Sequence, residues 1–245
     1  MIVKATEIKN NFGKYLKALD TGDVIVTKNG SPVARISKCD DWRGVSRNDE
    51  AGMVSEAAVP YNSGGRKMSF EEFLEMREKT EDRYEYIDGE AFYIESPSIT
   101  HQQIIGNLYT DLRVWFKGKK CMPYLSPFDV VLVKGENNMN LVQPDILVVC
   151  DPENRNEKDR YTGVPSLVIE VLSDSTSKMD FVRKLNLYMD TNVSEYWIVN
   201  PFSKEVIVYS FINKAVARML PFVKEDTVKS VLFEGLEVTL KDVFE

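Results

Sequence analysis

The sequence predicts an α/β protein: a mixed sheet flanked by helices, preceded by a small α+β module. Three observations predict it. From residue 99 to 200, segments of helix and strand length follow one another in the order helix, strand, strand, strand, helix, strand. The clearest strand, LVIEVL at 167–172, carries one carboxylate, Glu170, inside an apolar run. There an ionised group is costly unless something pairs with it. Finally, residues 1–38 hold seven Lys/Arg against three Asp/Glu, net +4, and the remainder holds 24 against 35, net −11, a shift that separates two modules.

Bulk properties narrow the function classes. A chain of 245 residues accommodates one large domain or a small one plus a medium one. No apolar run approaches the roughly 18–20 residues of a membrane helix, and the N-terminus has no apolar signal core, so a cytoplasmic protein is expected. Cys39, Cys121 and Cys150 are far apart and odd in number. They show neither zinc spacing nor a disulfide framework, which fits a reducing compartment. The lone histidine excludes multi-His metal sites, so any metal is expected on oxygen ligands.

Taken in order, Ile2 and Val3 predict a short strand, and Thr6 caps a helix whose apolar stripe is Ile8, Phe12, Tyr15, Leu16 and Leu19. Residues 24–27 and 32–36 predict a hairpin turning on Asn29-Gly30. So small a unit is expected to dimerise. Residues 41–66 read as a linker, with a short helix allowed at 49–58, and 67–245 as the main domain. Ser69 and Glu72 form a capping box for a helix through about Lys79. Tyr84–Ile87 and Glu90–Glu95 flank the hairpin signal Asp88-Gly89. Residues 99–117 predict a helix with His101, Ile105, Leu108, Leu112 and Trp115 on one stripe. Strands are expected at 127–133, 145–150, 166–172 and 194–200, a helix at 177–190, a hairpin-like pair at 205–211 and 215–221, and a C-terminal strand or short helix.

The chemistry concentrates on two of these strands. Alternation puts Val168, Glu170 and Leu172 on one face, so Glu170 leaves the sheet at its centre. Asp145 opens its own strand after Pro144. As neighbours the two acids chelate one magnesium or manganese ion, which needs few carboxylates beside water and substrate phosphate. At about 100° per residue, with Phe181 at 0°, Leu185 falls near 40°, Tyr188 near −20°, Lys184 near −60° and Arg183 near 200°. Lys184 therefore reaches the sheet from the shoulder of the apolar face, and Arg183 is expected in solvent. Its expected role is to orient water or to stabilise charge in the transition state; the alternative is a snorkelling lysine.

Two resemblances add to this. Ala5-Thr6-Glu7, Asn10-Asn11-Phe12 and the run Val24–Ile36, with Lys28-Asn29-Gly30 and Pro32-Val33-Ala34, resemble the N-terminal half of Phd/YefM-type antitoxins. That resemblance implies a dimerisation and DNA-binding module over 1–40, a homodimer on operator DNA, and a toxin as partner of a C-terminal tail that is not seen after Ile36. Lys4, Lys9, Lys14 and Lys28 are then candidate phosphate contacts, or solvated charge. Residues 69–200 resemble the Uma-type restriction endonuclease family, a branch of the PD-(D/E)xK nuclease superfamily. The matching pieces are Tyr84 to Glu90, Ser96-Pro97, His101-Gln102, Ser126-Pro127 with Asp129-Val130, Val142 to Asp145, Ile169 to Ser173 with Ser175-Thr176, Lys184 with Tyr188, and Glu195 to Val199 before Pro201.

This second resemblance implies a restriction-endonuclease-like fold and a metal-dependent DNA endonuclease. Asp145 and Glu170 would hold magnesium or manganese, with Lys184 as the catalytic cation. The superfamily's usual lysine position, two after the glutamate, is Leu172 here, which matches a lysine moved to the following helix. Glu90, His101 and Asp129 fall on motif positions as supporting residues. Glu90 reads equally as a solvated hairpin charge, and His101 as a satisfied core residue. The reading from a different class is a non-catalytic, antitoxin-like DNA-binding regulator, in which the nuclease-like domain is a dimerisation or partner-binding scaffold.

Overall fold

The computed structural model describes residues 2–4, 24–28, 31–36, 65–173 and 178–245. The chain divides into two compact units, Met1–Val59 and Pro60–Glu245. In the first, β1 (Ile2–Lys4) runs parallel to β2 (Val24–Lys28), which pairs antiparallel with β3 (Ser31–Ile36). Val24 and Val26, two apart on β2, are buried together with Val3, as the period of two requires. The predicted hairpin is present with Lys28 opposite Ser31. The Thr6–Leu19 helix, Lys9, Lys14 and residues 40–64 of the linker reading lie outside the described residues. Lys4 and Lys28 end their strands.

The second unit is built on two sheets. Helix α1 (Phe70–Glu78) starts from Ser69, whose hydroxyl accepts the Glu72 N–H at 3.2 Å while the Glu72 carboxylate accepts the Ser69 N–H at 2.7 Å. A five-stranded antiparallel sheet has the order β4 (Arg66–Lys67), β6 (Glu90–Tyr93), β5 (Tyr84–Ile87), β9 (Asn138–Val142), β8 (Val130–Lys134). Asp88 and Gly89 turn the β5–β6 hairpin with φ of 49° and 85°, the left-handed region that a tight Asp-Gly turn needs. Fully buried Asn140 secures that turn, its side-chain oxygen accepting the Asp88 N–H at 2.8 Å.

The six-stranded sheet has the order β14 (Ala215–Val223), β13 (Glu205–Ile212), β12 (Glu195–Asn200), β11 (Leu167–Val171), β10 (Ile146–Val149), β7 (Met122–Leu125). It is mixed: β11 and β12 are parallel, joined through α3 (Lys178–Asp190), and the other pairs are antiparallel. One face, with Ile146, Ile169 and Trp197, buries against α2 (Ile99–Phe116), β16 (Glu237–Thr239) and the short α4 (Leu240–Val243). Strand β16 pairs with β15 (Thr227–Lys229). The opposite face, with Leu147, Val168 and Tyr196, packs against Leu187 and Tyr188 of α3 and against Ile87, Val130, Leu132 and Val142 of the other sheet. Glu170 lies on this inner face, between the two sheets. No helix among the described residues is long and apolar enough to cross a membrane.

Three expectations are corrected. Strands β7 and β9 are absent from the sequence reading, because Pro123 interrupts one and Asn138 and Asn140 make the other polar. The 127–133 strand begins only at Val130. Without β7 the cysteines could not be paired: Met122 lies opposite Val149, which brings the next residues together, and a disulfide joins Cys121 to Cys150.

A second buried acid holds the C-terminal segment. Glu195 has no solvent exposure, and its carboxylate accepts the Trp197 indole N–H at 2.6 Å and the Val231 and Leu232 N–H groups at 2.7 and 2.6 Å. Replacing it by alanine leaves three donors unmet. Glu195→Ala is expected to cost at least about 3 kcal/mol, read from the urea midpoint of the full chain. A loss below about 1 kcal/mol would show that these donors find water instead.

Candidate active site

Strand register builds the centre of the site. Ile146 pairs with Ile169 in the antiparallel β10–β11 ladder, so Asp145 and Glu170 are the next pair across the two strands. Asp145 does not continue the ladder. Its Oδ2 accepts the Val171 N–H at 2.8 Å and lies 3.3 Å from His101 Nε2. His101 stands in the first turn of α2, behind the Ser98 N-cap, with Nε2 2.9 Å from the Val171 carbonyl oxygen.

Glu170 is 8% exposed and meets two donors from α3. Its Oε1 accepts from Lys184 Nζ at 2.9 Å and from the Tyr188 hydroxyl at 2.7 Å, one helical turn apart. Lys184 Nζ also lies 3.0 Å from Oε1 of Glu85, a β5 residue only 7% exposed, which in turn accepts the Gln143 N–H at 2.9 Å. Thus α3, the mixed sheet and the antiparallel sheet each supply one charge to a single contact group.

The electrostatics follow from burial and from an excess of acids. Burial, with the Asp145 and Glu85 charges adding to it, raises the Glu170 carboxyl to about 7 against the pull of Lys184. Burial disfavours the Lys184 ammonium, but Glu170 and Glu85 outweigh it and hold its pKa well above the usual value. Lys184 therefore stays charged, and the deficit falls on Glu170. For His101 too, the penalty of burial is outweighed, here by the hydrogen bond and charge of Asp145, and its pKa rises. Burial followed by the Glu170 charge raises Tyr188 strongly.

A hard divalent cation fits this donor set. Two carboxylates share one lysine with Asp145 beside them, and neither Glu170 Oε2 nor Asp145 Oδ1 takes a hydrogen bond from a described residue. Among the described residues no three His, Cys, Asp or Glu side chains converge as a cage. A pair of carboxylates suits magnesium, which keeps most of its sites for water and phosphate.

Of the residues singled out from sequence, Asp145, Glu170, Lys184 and His101 come together. Glu90 and Asp129 stand in ion pairs of their own. Glu90 Oε2 is 3.6 Å from Arg183 Nη2, while Asp129 accepts from Arg77 at 3.1 Å and from Gln143 Nε2 at 2.8 Å, with Arg160 at 3.6 Å. Arg183 corrects an expectation. It lies not in solvent but over the Phe92 ring, 4.4 Å from its centroid. The reason is helix phase: fully buried Leu187 moves the inner stripe of α3 toward Lys184 and draws Arg183 to its edge. Glu85 and Tyr188 were missed as site residues. The signal for Glu85 was a carboxylate between two tyrosines in a four-residue strand, and for Tyr188 a phenol one turn after the lysine.

Comparison with known proteins places this architecture. A solved structure described as a putative nuclease belonging to DUF820 from Anabaena variabilis superposes with a TM-score of 0.61, covering 72% of this chain and 97% of that one at 20% identity, which shows a shared fold. Two uncharacterized proteins of Synechocystis align over 144 residues, 58% of this chain: slr1290 at 32% identity over 74% of its length, and sll1609 at 25% over 80%. The model of the antitoxin Phd_YefM family, type II toxin-antitoxin system, matches residues 1–69. The Uma2 model, described as "Putative restriction endonuclease", matches residues 70–241, and the chain belongs to that family.

Proposed function

We propose that the Pro60–Glu245 unit is a magnesium- or manganese-dependent endonuclease that hydrolyses phosphodiester bonds of DNA. The observation that carries this reading is the placement of Asp145 and Glu170 side by side across two strands, with the Lys184 ammonium on the second acid. Asp145 and Glu170 would hold the ion. Bound there, it supplies charge neutralisation at the scissile phosphate.

The chain's own groups supply the rest. Lys184 has three N–H donors, and Glu170 and Glu85 engage two. The third meets no partner among the described residues and would donate to an attacking water or to a phosphoryl oxygen as its charge develops. Glu85 keeps that ammonium charged and aimed, since its own oxygen is anchored to the Gln143 backbone. Val171 N–H fixes Asp145 against β11, so the spacing of the acids follows the sheet and not a mobile loop.

A second reading rests on the match of the antitoxin family to residues 1–69 and on their basic surplus. In it the N-terminal unit pairs two copies on operator DNA, alone or with a toxin, and the nuclease-like unit serves as scaffold. Selective DNA binding with neither divalent-ion binding nor cleavage would favour it.

Two outcomes follow from the nuclease reading. Asp145→Asn and Glu170→Gln are each expected to lower magnesium-dependent nicking of plasmid DNA at least about 100-fold with the circular dichroism spectrum unchanged. Cleavage at the wild-type rate by either variant would remove that acid from the site. Lys184→Met leaves Glu170 and Glu85 without their cation, so it is expected to cost about 3–5 kcal/mol in urea unfolding. Adding Glu170→Gln to Lys184→Met is expected to return part of that loss; strictly additive losses would mean the pair does not interact.

A further inference from the structure

We propose that Tyr188 and His101 are positioning residues: each occupies one oxygen of an acid, so that Asp145 and Glu170 present a single free oxygen apiece to the cation. This rests on the nuclease reading of the same two acids and adds to it what sets their geometry.

The argument is one of hydrogen-bond accounting. Glu170 Oε1 takes both the Lys184 ammonium and the Tyr188 hydroxyl, at 2.9 and 2.7 Å. Lys184 is a poor positioner by itself, because its long stem is shared with Glu85 at 3.0 Å. Tyr188 is rigid. It has no solvent exposure, and its ring meets Tyr196 edge-on with centroids 4.9 Å apart. Its phenol therefore reaches Glu170 from one direction only, and the carboxylate turns Oε1 toward it, leaving Oε2.

His101 acts on Asp145 less directly, with one N–H shared between that acid and a backbone carbonyl. Two acceptors surround Nε2, the Val171 carbonyl at 2.9 Å and Asp145 Oδ2 at 3.3 Å, so Nε2 must carry the proton. The other nitrogen, Nδ1, is buried and meets no hydrogen-bond partner among the described residues. A proton relay needs a partner on both nitrogens; this ring has one on a single side, as a pure donor does. Val171 N–H holds the same Oδ2 at 2.8 Å, so the two donors leave Oδ1. One oxygen from each of two facing acids is a donor set that favours a small, mostly hydrated cation over one that demands bidentate carboxylates.

The test titrates Mn2+ alone into the full chain by calorimetry and follows bound-ion hydration by water-proton relaxation. Tyr188→Phe keeps the ring and removes only the hydroxyl. His101→Gln keeps a donor amide near the Nε2 position, and His101→Leu removes it. Tyr188→Phe and His101→Leu are expected to weaken Mn2+ binding about tenfold, the worth of one lost charge-assisted hydrogen bond. His101→Gln is expected to recover most of the affinity. Hydration of the bound ion is expected to fall in Tyr188→Phe, because Oε1, then held only by the mobile Lys184 ammonium, can turn toward it. Wild-type affinity and hydration in Tyr188→Phe and His101→Leu, beside loss of binding in Glu170→Gln, would overturn the positioning roles while the nuclease reading stands. Undiminished binding in Glu170→Gln would overturn both. Equal loss in His101→Gln and His101→Leu would reduce His101 to a packing residue and overturn its part.

Discussion

One buried ammonium ties the Pro60–Glu245 unit together. Lys184 leaves α3, meets Glu170 of the mixed sheet and Glu85 of the antiparallel sheet, and is the charge on which both acids depend. Burying either carboxylate alone would cost more than a typical packing contact returns. The two sheets can close over these acids only because the lysine is placed between them. The apolar contacts around it, from Val168 and Tyr196 to Leu187 and Ile87, supply the bulk of the attraction but are not selective about register. The ion pair is.

Buried carboxylates elsewhere in this unit bind main-chain N–H groups and not only cations. Asp145 holds the Val171 N–H, Glu85 the Gln143 N–H, and Glu195 the Val231 and Leu232 N–H groups. Each is a join between segments distant in sequence, made where a strand ends and its backbone donors would otherwise be unmet. The site thus grows out of a structural habit of the fold. At Asp145 and Glu170 an oxygen is left over, and that surplus distinguishes the proposed cation centre from a buried strut such as Glu195, whose oxygens are all engaged by Trp197 and the 230 loop.

Much of the fold was legible because the interactions that make it are local. The Ser69–Glu72 capping box, the Asp88-Gly89 turn, and the stripe of Ile105, Leu108 and Leu112 each depend on residues within a turn or two of one another. Strands β7 and β9 escaped for the converse reason. Met122–Leu125 and Asn138–Val142 have little apolar pattern, and only their partners β10, β5 and β8 make them strands. The Cys121–Cys150 disulfide was hidden with β7. Arg183 was misplaced because the phase of α3 was set from Phe181, whereas the sheet selects Leu187 and Tyr188.

By itself, the sequence determined most of the elements and the family, and it singled out Asp145, Glu170 and Lys184. A carboxylate in an apolar run, an acid after Pro144 and a lysine on a helix shoulder are properties of single segments. Only the tertiary structure decided which oxygen each acid offers, that Glu85 and not Glu90 shares the lysine, and that Asp129 serves Arg77 instead. Glu85 and Glu90 are carboxylates on the two strands of one hairpin. Register puts both on the face that meets α3, so the choice between them is made by position along the hairpin, which sets Glu85 against Lys184 and Glu90 against Arg183.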